Sequence, residues 1–421
     1  GDKSITQRAL ILAALAEGES RLQGLLPAAD PCSTAEALRA LGVGIPPLPR
    51  DGAPVRIKGV GLRGLRAPQA PLDLGNSGTG ARLLLGVLAG QPFPAVVTGD
   101  ASLRSRPMGR VTGPLEAMGA VFHFPEQDGR LPVRVGPVRA LKGVDLDLPV
   151  ASAQVKSALL LAGVAAGVPV LLREPGASRD HTERMLGEAG ATVVTHVRDA
   201  GRRVELRDPP ARLRPLDLEV PGDPSSAAFP VLAALLGVGA GEVRVEGVGL
   251  NPTRTGFLDH FRRMGGAVEA EVTGDAGGEP VGTVVARASG LQAVEIGGED
   301  VVRAIDELPA LAVAAARADG VTRITGAAEL RVKETDRIRA LVRNLNAVGV
   351  TARELPDGLE VEGTAAPLRG RVASDHDHRI AMVFGVLGAQ PGNHIEVEGA
   401  GAVEVSFPGF WGFLEALAAG G

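Results

Sequence analysis

Six stretches of small apolar residues recur along the chain: KSITQRALILAALAEG from Lys3, GARLLLGVLAG from Gly80, AQVKSALLLAGVAAG from Ala153, SSAAFPVLAALLGVGAG from Ser225, LPALAVAAARADG from Leu308 and HRIAMVFGVLGAQPG from His378. Their starts lie 70 to 83 residues apart, which marks an internal repeat. A helix that is apolar on every side cannot lie on a surface, so six buried helices are predicted, with sheets and amphipathic helices outside them. Each run ends in glycine, the expected stop signal for a helix.

The flanking sequence repeats with the same texture. A short β-branched run such as VRVEGVG or TRITGAA follows each buried helix. Next comes an amphipathic helix, as in STAEALRALGVGI, MGRVTGPLEAMGAVF, TERMLGEAGATVV, TGFLDHFRRMGGAVEA and TDRIRALVRNLNAVGV. A two-strand segment closes the unit, VFHFPEQDGRLPVRV being the clearest hairpin signal. The predicted class is therefore α/β (α+β), built from strand, helix, strand, helix, strand, strand. The period is too long for the common solenoids, and each unit carries enough apolar sequence for a core of its own. Six units divide into two domains of three, residues 1–222 and 223–421, with the break near Val220–Asp223. The sixth unit stops after FWGFLEAL with no strands behind it, and a strand pair preceding Gly1 is expected to complete that layer.

Charge and composition narrow the function. A net charge of −5 offers no global attraction to nucleic acid or anionic lipid, so anion binding must come from a local cluster. With no tyrosine and one tryptophan, the stacking platforms used on single-stranded nucleic acid are missing. The apolar run Ala158–Leu172 is too short and too interrupted to cross a bilayer. No leader pattern is evident, so a cytoplasmic protein without membrane or nucleic-acid partners is expected. A single cysteine, Cys32, excludes an intramolecular disulfide and is expected to be a small buried residue or a neighbour of a helix cap.

Polar residues gather where the buried helices begin: Lys3, Ser4 and Arg8; Asn76, Ser77, Gly78, Thr79 and Arg82; Ser152, Gln154 and Lys156; GDPSS; Asp306; and Asp377, His378 and Arg379. Ser, Thr, Asp and Asn there are ordinary caps, each worth about 1 kcal/mol. Helix starts also carry unpaired N–H groups and partial positive charge, so several of them together make an anion site. In AELRVKETDRI, at an expected helix entrance, Lys333 and Arg337 fall at i and i+4 with Glu334 beside them. The basic residues Lys3, Arg8, Arg82, Arg106, Lys156, Arg179, Lys333, Arg337 and Arg379 recur in these segments with few carboxylates, chiefly Asp306 and Glu334. That pattern suits a multiply anionic substrate gripped by arginine forks and lysine point charges, with Asp306 and Glu334 as proton carriers. GNSGTG lacks the Lys-Ser/Thr ending of a phosphate loop. GVGLRG at 59–64 is followed by Pro68 and Pro71 where a nucleotide-binding helix would start. His376 and His378 lack an evident third ligand, so no metal is expected.

The motifs GDKSITQRA, LGNSGTGAR, RVKETDR and DHR, in this order along the whole chain, resemble the enolpyruvyl transferases. The resemblance implies a two-domain inside-out α/β barrel, each domain of three βαβαββ repeats with pseudo-threefold symmetry, closing over substrates between them. It also implies that strands ahead of Gly1 belong with the last repeat. The implied reaction joins shikimate 3-phosphate to phosphoenolpyruvate without metal or cofactor. By motif, Lys3, Ser4, Arg8, Ser152, Ala153, Gln154, Arg179, Asp306 and Lys333 are expected to hold shikimate 3-phosphate. Lys3, Gly78, Arg106, Gln154, Arg337 and Arg379 are expected around phosphoenolpyruvate. Asp306 is expected to take the hydroxyl proton, with Glu334 and Lys3 as carriers of the other proton.

Two positions depart from some members of the family: Val405 and Ser406 stand where a lysine precedes the terminal FP, and Glu329 stands four residues before Lys333 in place of asparagine. The SAQ form of the third motif and the absent late lysine resemble the family's second class, whereas Gly78 resembles glyphosate-sensitive members. The sister activity on UDP-N-acetylglucosamine typically uses a mobile-loop cysteine, and Leu103–Gly113 has none. A non-catalytic repeat scaffold that binds anions is the alternative from another class; it predicts basic residues scattered over the surface. A monomer is expected.

Overall fold

The computed structural model describes residues 1–198, 201–239 and 241–420. They form two compact units, Gly1–Pro221 with Asp275–Glu279, and Gly222–Gly274 with Pro280–Gly421.

Six inner helices lie where the apolar repeats predict them. They are Lys3–Leu15, Gly78–Ala89 and Ala153–Ala166 in the first unit, and Pro224–Leu235, Leu308–Ala315 and His378–Ala389 in the second. Every residue from Ile5 to Leu15 and from Leu308 to Ala315 is buried. Small residues allow the helices to approach closely. A Cβ on Gly86 would lie 2.2 Å from the carbonyl oxygen of Ala158 on the neighbouring inner helix, so only glycine fits. Six outer helices, Ala29–Ala40, Gly109–Ala117, His181–Glu188, Gly256–Arg263, Arg337–Ala347 and Phe410–Ala419, follow in the same rhythm. The fifth of these buries Ile338, Leu341 and Leu345, a single stripe of one helix face.

The second, third and fifth repeats build the same four-stranded sheet. Leu72–Asp73, before the second inner helix, runs parallel to Ala95–Thr98, after it; that strand pairs antiparallel with Val133–Val135, which pairs with Phe122–His123. The third and fifth repeats show the same order. The first repeat takes its parallel strand, Asp217–Glu219, from the far end of its own unit. Among the described residues the sixth repeat has two paired strands, Arg369–Ala373 and His394–Glu398.

Two expectations are corrected. The five residues Asp275–Glu279 cluster with the first unit, although a division at residue 222 assigns them to the second. They are a hairpin tip turning on Gly277 and Gly278, both with positive φ. Arg184 Nη1 donates to Gly278 O at 2.7 Å, and buried His181 Nδ1 lies 2.7 Å from the Glu279 carboxylate. Glycine also terminates fewer helices than expected. Left-handed glycines follow the third and fourth inner helices, at Gly167 and Gly237, whereas Gly90 has φ −98° and the others end on Ala16, Ala316 and Gln390.

In the second unit, Arg317 gathers the C-terminal ends of the inner helices. It donates to Gln390 Oε1 (2.7 Å), Asn393 Oδ1 (2.6 Å) and the carbonyls of Thr364 and Ala366, while Gln390 Nε2 donates to Leu236 O. A cation there opposes the negative ends of the helix dipoles. No described helix is long and apolar enough to cross a membrane.

Candidate active site

Five inner helices are capped by a side chain at the position where polar residues cluster in the sequence. Asp2 accepts from Ile5 N (2.8 Å), Ser77 from Gly80 N (3.1 Å), Ser152 from Val155 N (3.5 Å), Asp223 from Ser225 N (2.8 Å) and Asp377 from Arg379 N (2.9 Å). Each cap satisfies one of the first-turn N–H donors of its helix.

In the first unit, Lys3 opens the first inner helix and its Nζ lies 3.0 Å from Asp30 Oδ2. Asp30 is buried on the first outer helix, and its Oδ1 has no hydrogen-bond partner among the described residues. One turn beyond Lys3, Gln7 Oε1 accepts from Ser77 Oγ (2.9 Å) and Thr34 Oγ1 (3.2 Å), tying the glycine loop to both helices. Arg8 is buried on neutral partners: Nε donates to Thr182 Oγ1 (2.7 Å), Nη2 to Ser157 Oγ (3.0 Å) and Nη1 to Ser4 O (3.0 Å). Burial pushes its pKa down to about 10, with the charge of Arg179 acting in the same direction, so it stays protonated at neutral pH and gains from an anion.

Gly78 lies under two guanidinium groups; a Cβ there would sit 2.9 Å from Arg82 Nη1 and 3.1 Å from Arg106 Nη1. Arg106 Nη2 donates to Asn76 Oδ1 and Ser102 Oγ. Arg82 Nη1 donates to Gln154 Oε1 (3.0 Å), and Gln154 Nε2 to Thr79 Oγ1 (2.9 Å), so this amide joins the start of the third inner helix to the glycine loop. Ser152 and Ala153 beside it are half-buried.

Lys156 does not belong to this group. One turn inside its helix and 1% exposed, it lies 2.8 Å from both Glu174 and Glu183. Burial opposes its charge, but those carboxylates outweigh it and raise its pKa. It is an internal ion triad rather than a cation available to a substrate.

In the second unit, charges converge on Asp306. Its Oδ1 lies 3.5 Å from Lys333 Nζ and 3.4 Å from Arg337 Nη1, its Oδ2 lies 4.0 Å from Arg379 Nη2, and its backbone oxygen accepts from Arg379 Nη1 at 3.0 Å. Arg337 is 1% exposed and bound by carboxylates: Nε to Asp377 Oδ2 (2.7 Å), Nη2 to Asp377 Oδ1 (3.3 Å) and to Glu334 Oε2 (2.6 Å). Burial opposes its charge, but Asp377, Glu334 and Asp306 together hold its pKa above the usual arginine value.

The entrance to this segment differs from the sequence reading. Ala328–Val332 is a 3₁₀ turn, Lys333 is extended, and the helix begins at Arg337 with Asp336 as its cap. Lys333 and Arg337 therefore meet at Asp306 and not through helical i, i+4 spacing. Arg331 fixes the segment by donating to Asp336, Glu354 and the carbonyls of Leu355 and Pro356. Carboxylates are also more numerous than expected: Asp30, Asp377, Glu307 and Asp223 all meet basic residues of the two clusters. Glu307 directly follows Asp306, and that adjacency was the available signal for it.

Over 99% of this chain and 93% of the other, the fold resembles the enolpyruvyl transferase NikO from Streptomyces tendae, with a TM-score of 0.73 at 18% identity. An EPSP synthase from Acinetobacter baumannii aligns over 99% of this chain and 94% of its own, with a TM-score of 0.85 and 41% identity. The family model of EPSP synthase (3-phosphoshikimate 1-carboxyvinyltransferase) matches residues 1–414, and the chain belongs to that family. Proteins named 3-phosphoshikimate 1-carboxyvinyltransferase are 50% identical in Alkalilimnicola ehrlichii, over 97% of this chain and 90% of theirs, and 47% identical in Gluconobacter oxydans, over 100% and 94%.

Proposed function

We propose that this protein transfers the enolpyruvyl group of phosphoenolpyruvate to the 5-hydroxyl of shikimate 3-phosphate and releases inorganic phosphate. Family membership supports the reaction. The observation that carries it to named residues is the approach of Lys333, Arg337 and Arg379 to Asp306, within 4.0 Å, with Glu334 on the same arginine.

Asp306 removes the 5-hydroxyl proton while Glu334 or Lys3 protonates the methylene carbon of phosphoenolpyruvate, and the hydroxyl oxygen bonds to the adjacent carbon. In the second step the methyl group returns a proton to the same carrier, the carbon–oxygen bond to phosphate breaks, and phosphate leaves with the proton that Asp306 had taken, which restores both groups. Lys3, Ser4, Arg8, Ser152, Ala153, Gln154, Arg179, Asp306 and Lys333 bind shikimate 3-phosphate. Lys3, Gly78, Arg106, Gln154, Arg337 and Arg379 bind phosphoenolpyruvate. The substrate's carboxylate or phosphate replaces internal carboxylates on Arg337, so the cations act in an environment already organised for charge. The protein acts as a cytoplasmic monomer in this reading.

The test is phosphate release by the purified chain given both substrates. Release that depends on both supports the reading; release only with UDP-N-acetylglucosamine in place of shikimate 3-phosphate, or none, refutes it.

A further inference from the structure

The fifth inner helix alone lacks a side-chain cap. Its cap residue, Glu307, turns inward and is 1% exposed. One carboxylate oxygen accepts the hydroxyl of Ser225, and the other, Oε2, is buried with no hydrogen-bond partner among the described residues. Arg379 Nη1 stands 3.9 Å from Glu307 Oε1 while donating to the backbone oxygen of Asp306. Ser225 lies in the first turn of the fourth inner helix and Arg379 in the first turn of the sixth. Buried Arg254 Nη2 reaches both Ser225 Oγ (2.9 Å) and Asp223 (3.0 Å). A single carboxylate thus meets groups from all three inner-helix starts of the second unit.

Three helix N-termini and two arginines concentrate positive potential, which a buried carboxylate relieves. The first unit treats the same kind of position differently, holding Arg8 on the neutral hydroxyls of Ser157 and Thr182. One unit holds its arginine on hydroxyls and a carbonyl, whereas the other sets a buried carboxylate beside its arginine.

We propose that Glu307 is a positioning residue of the reaction, a built-in counter-anion that aligns Arg379 for phosphoenolpyruvate and keeps free phosphate from settling among the three helix starts. This rests on the proposed reaction for its kinetic half. Glu307→Gln keeps the shape and the Ser225 contact but removes the charge. It is expected to raise KM for phosphoenolpyruvate about fivefold or more while KM for shikimate 3-phosphate changes less than about twofold. Glu307→Asp keeps the charge and is expected nearer wild type. Calorimetric titration with inorganic phosphate alone is expected to show binding to Glu307→Gln about threefold or more tighter than to the wild-type chain.

The proposal is overturned if both KM values stay unchanged or rise together, if the Asp variant is as impaired as the Gln variant, or if phosphate binds both proteins equally. Should the wild-type chain release no phosphate from the two substrates, the reaction fails, and the titration still decides the role of Glu307. If Glu307→Gln does not fold, Ser225→Ala removes the anchor instead. It is expected to raise KM for phosphoenolpyruvate about twofold or more, and a wild-type value would overturn the proposal.

Discussion

Lys333→Met separates a working cation from an ordinary surface charge when set beside Lys58→Met. Lys333 Nζ lies 3.5 Å from Asp306 with 25% of the side chain exposed, whereas Lys58 is exposed on the strand Val55–Val60. At an effective dielectric of about 20, charges 3.5 Å apart attract by about 5 kcal/mol. Water on the exposed quarter and the competing guanidinium of Arg337 reduce what a substrate can recover to the ordinary worth of a charged hydrogen bond, about 1.5–3 kcal/mol. At about 1.4 kcal/mol per decade, Lys333→Met should lower kcat/KM about 10- to 150-fold, with KM for shikimate 3-phosphate carrying much of the loss. Lys58→Met should stay within about twofold. The assay is initial-rate phosphate release with each substrate varied in turn. Denaturant unfolding of both variants provides the control, since a part-exposed pair contributes less than about 1 kcal/mol to stability. If the two variants fall within about threefold of each other in kcat/KM, or if Lys333→Met loses activity only because it unfolds, the assignment of Lys333 to substrate is wrong.

Three further perturbations test other parts of the structure. Gly78→Ala places a Cβ 2.9 Å from Arg82 Nη1 and 3.1 Å from Arg106 Nη1, so the flexible guanidinium ends must shift. Stability should change by less than about 1 kcal/mol while KM for phosphoenolpyruvate rises about tenfold and that for shikimate 3-phosphate does not; parallel changes would place Gly78 elsewhere. Lys156→Met strands the buried carboxylates of Glu174 and Glu183 and should cost about 3–5 kcal/mol in denaturant unfolding, a loss below about 1 kcal/mol contradicting the ion triad. His260 is buried, and burial followed by the charge of Arg263 depresses its pKa. As pH falls below about 6.5 the unfolded chain therefore takes up a proton that the native chain refuses, and stability drops by up to about 1.4 kcal/mol per pH unit until the depressed pKa is reached. His260→Phe should remove that component from unfolding free energies measured between pH 7.5 and 5, and an unchanged pH slope would refute it.

The inner helices are legible in the sequence because their signal does not depend on partners. LPALAVAA is apolar on every face and has no stable place except inside. The caps are legible for a similar reason, since Asp2, Ser77, Ser152, Asp223 and Asp377 act on N–H groups two or three residues away. What fails is whatever depends on distant chain. The hairpin tip 275–279 clusters with the first unit through Arg184 and His181, which no local pattern in residues 267–287 reveals. The entrance at Lys333 fails differently. Lys333 and Arg337 read as i and i+4 of a helix entrance, but Asp336 caps the helix at Arg337 and Arg331 holds the preceding turn against carbonyls from another hairpin.

Charge is the hardest property to read, because a sequence gives its amount and not its partners. Lys3 and Lys156 both stand near the start of an inner helix, yet Lys3 is its first residue and keeps 15% of its side chain exposed, while Lys156 lies a turn deeper and must be neutralised by the protein itself. The same logic separates the two clusters. In the first unit Arg8 donates to the hydroxyls of Ser157 and Thr182 and the carbonyl of Ser4, Arg82 and Arg106 donate to side-chain amides, a hydroxyl and a carbonyl, and Lys3 meets the carboxylate of Asp30. In the second, Lys333, Arg337, Arg379 and Arg254 meet Asp306, Glu334, Asp377, Glu307 and Asp223. A dianionic phosphate gains Coulomb energy directly at the first set, but at the second it must displace a carboxylate already in place, so its net gain is a difference between two similar terms. Cation removal in the first unit should therefore weaken anion binding outright, whereas Glu307→Gln in the second should let free phosphate bind more tightly while phosphoenolpyruvate, which needs Arg379 aligned, binds more weakly. A residue count that treats every arginine as equally available predicts neither asymmetry.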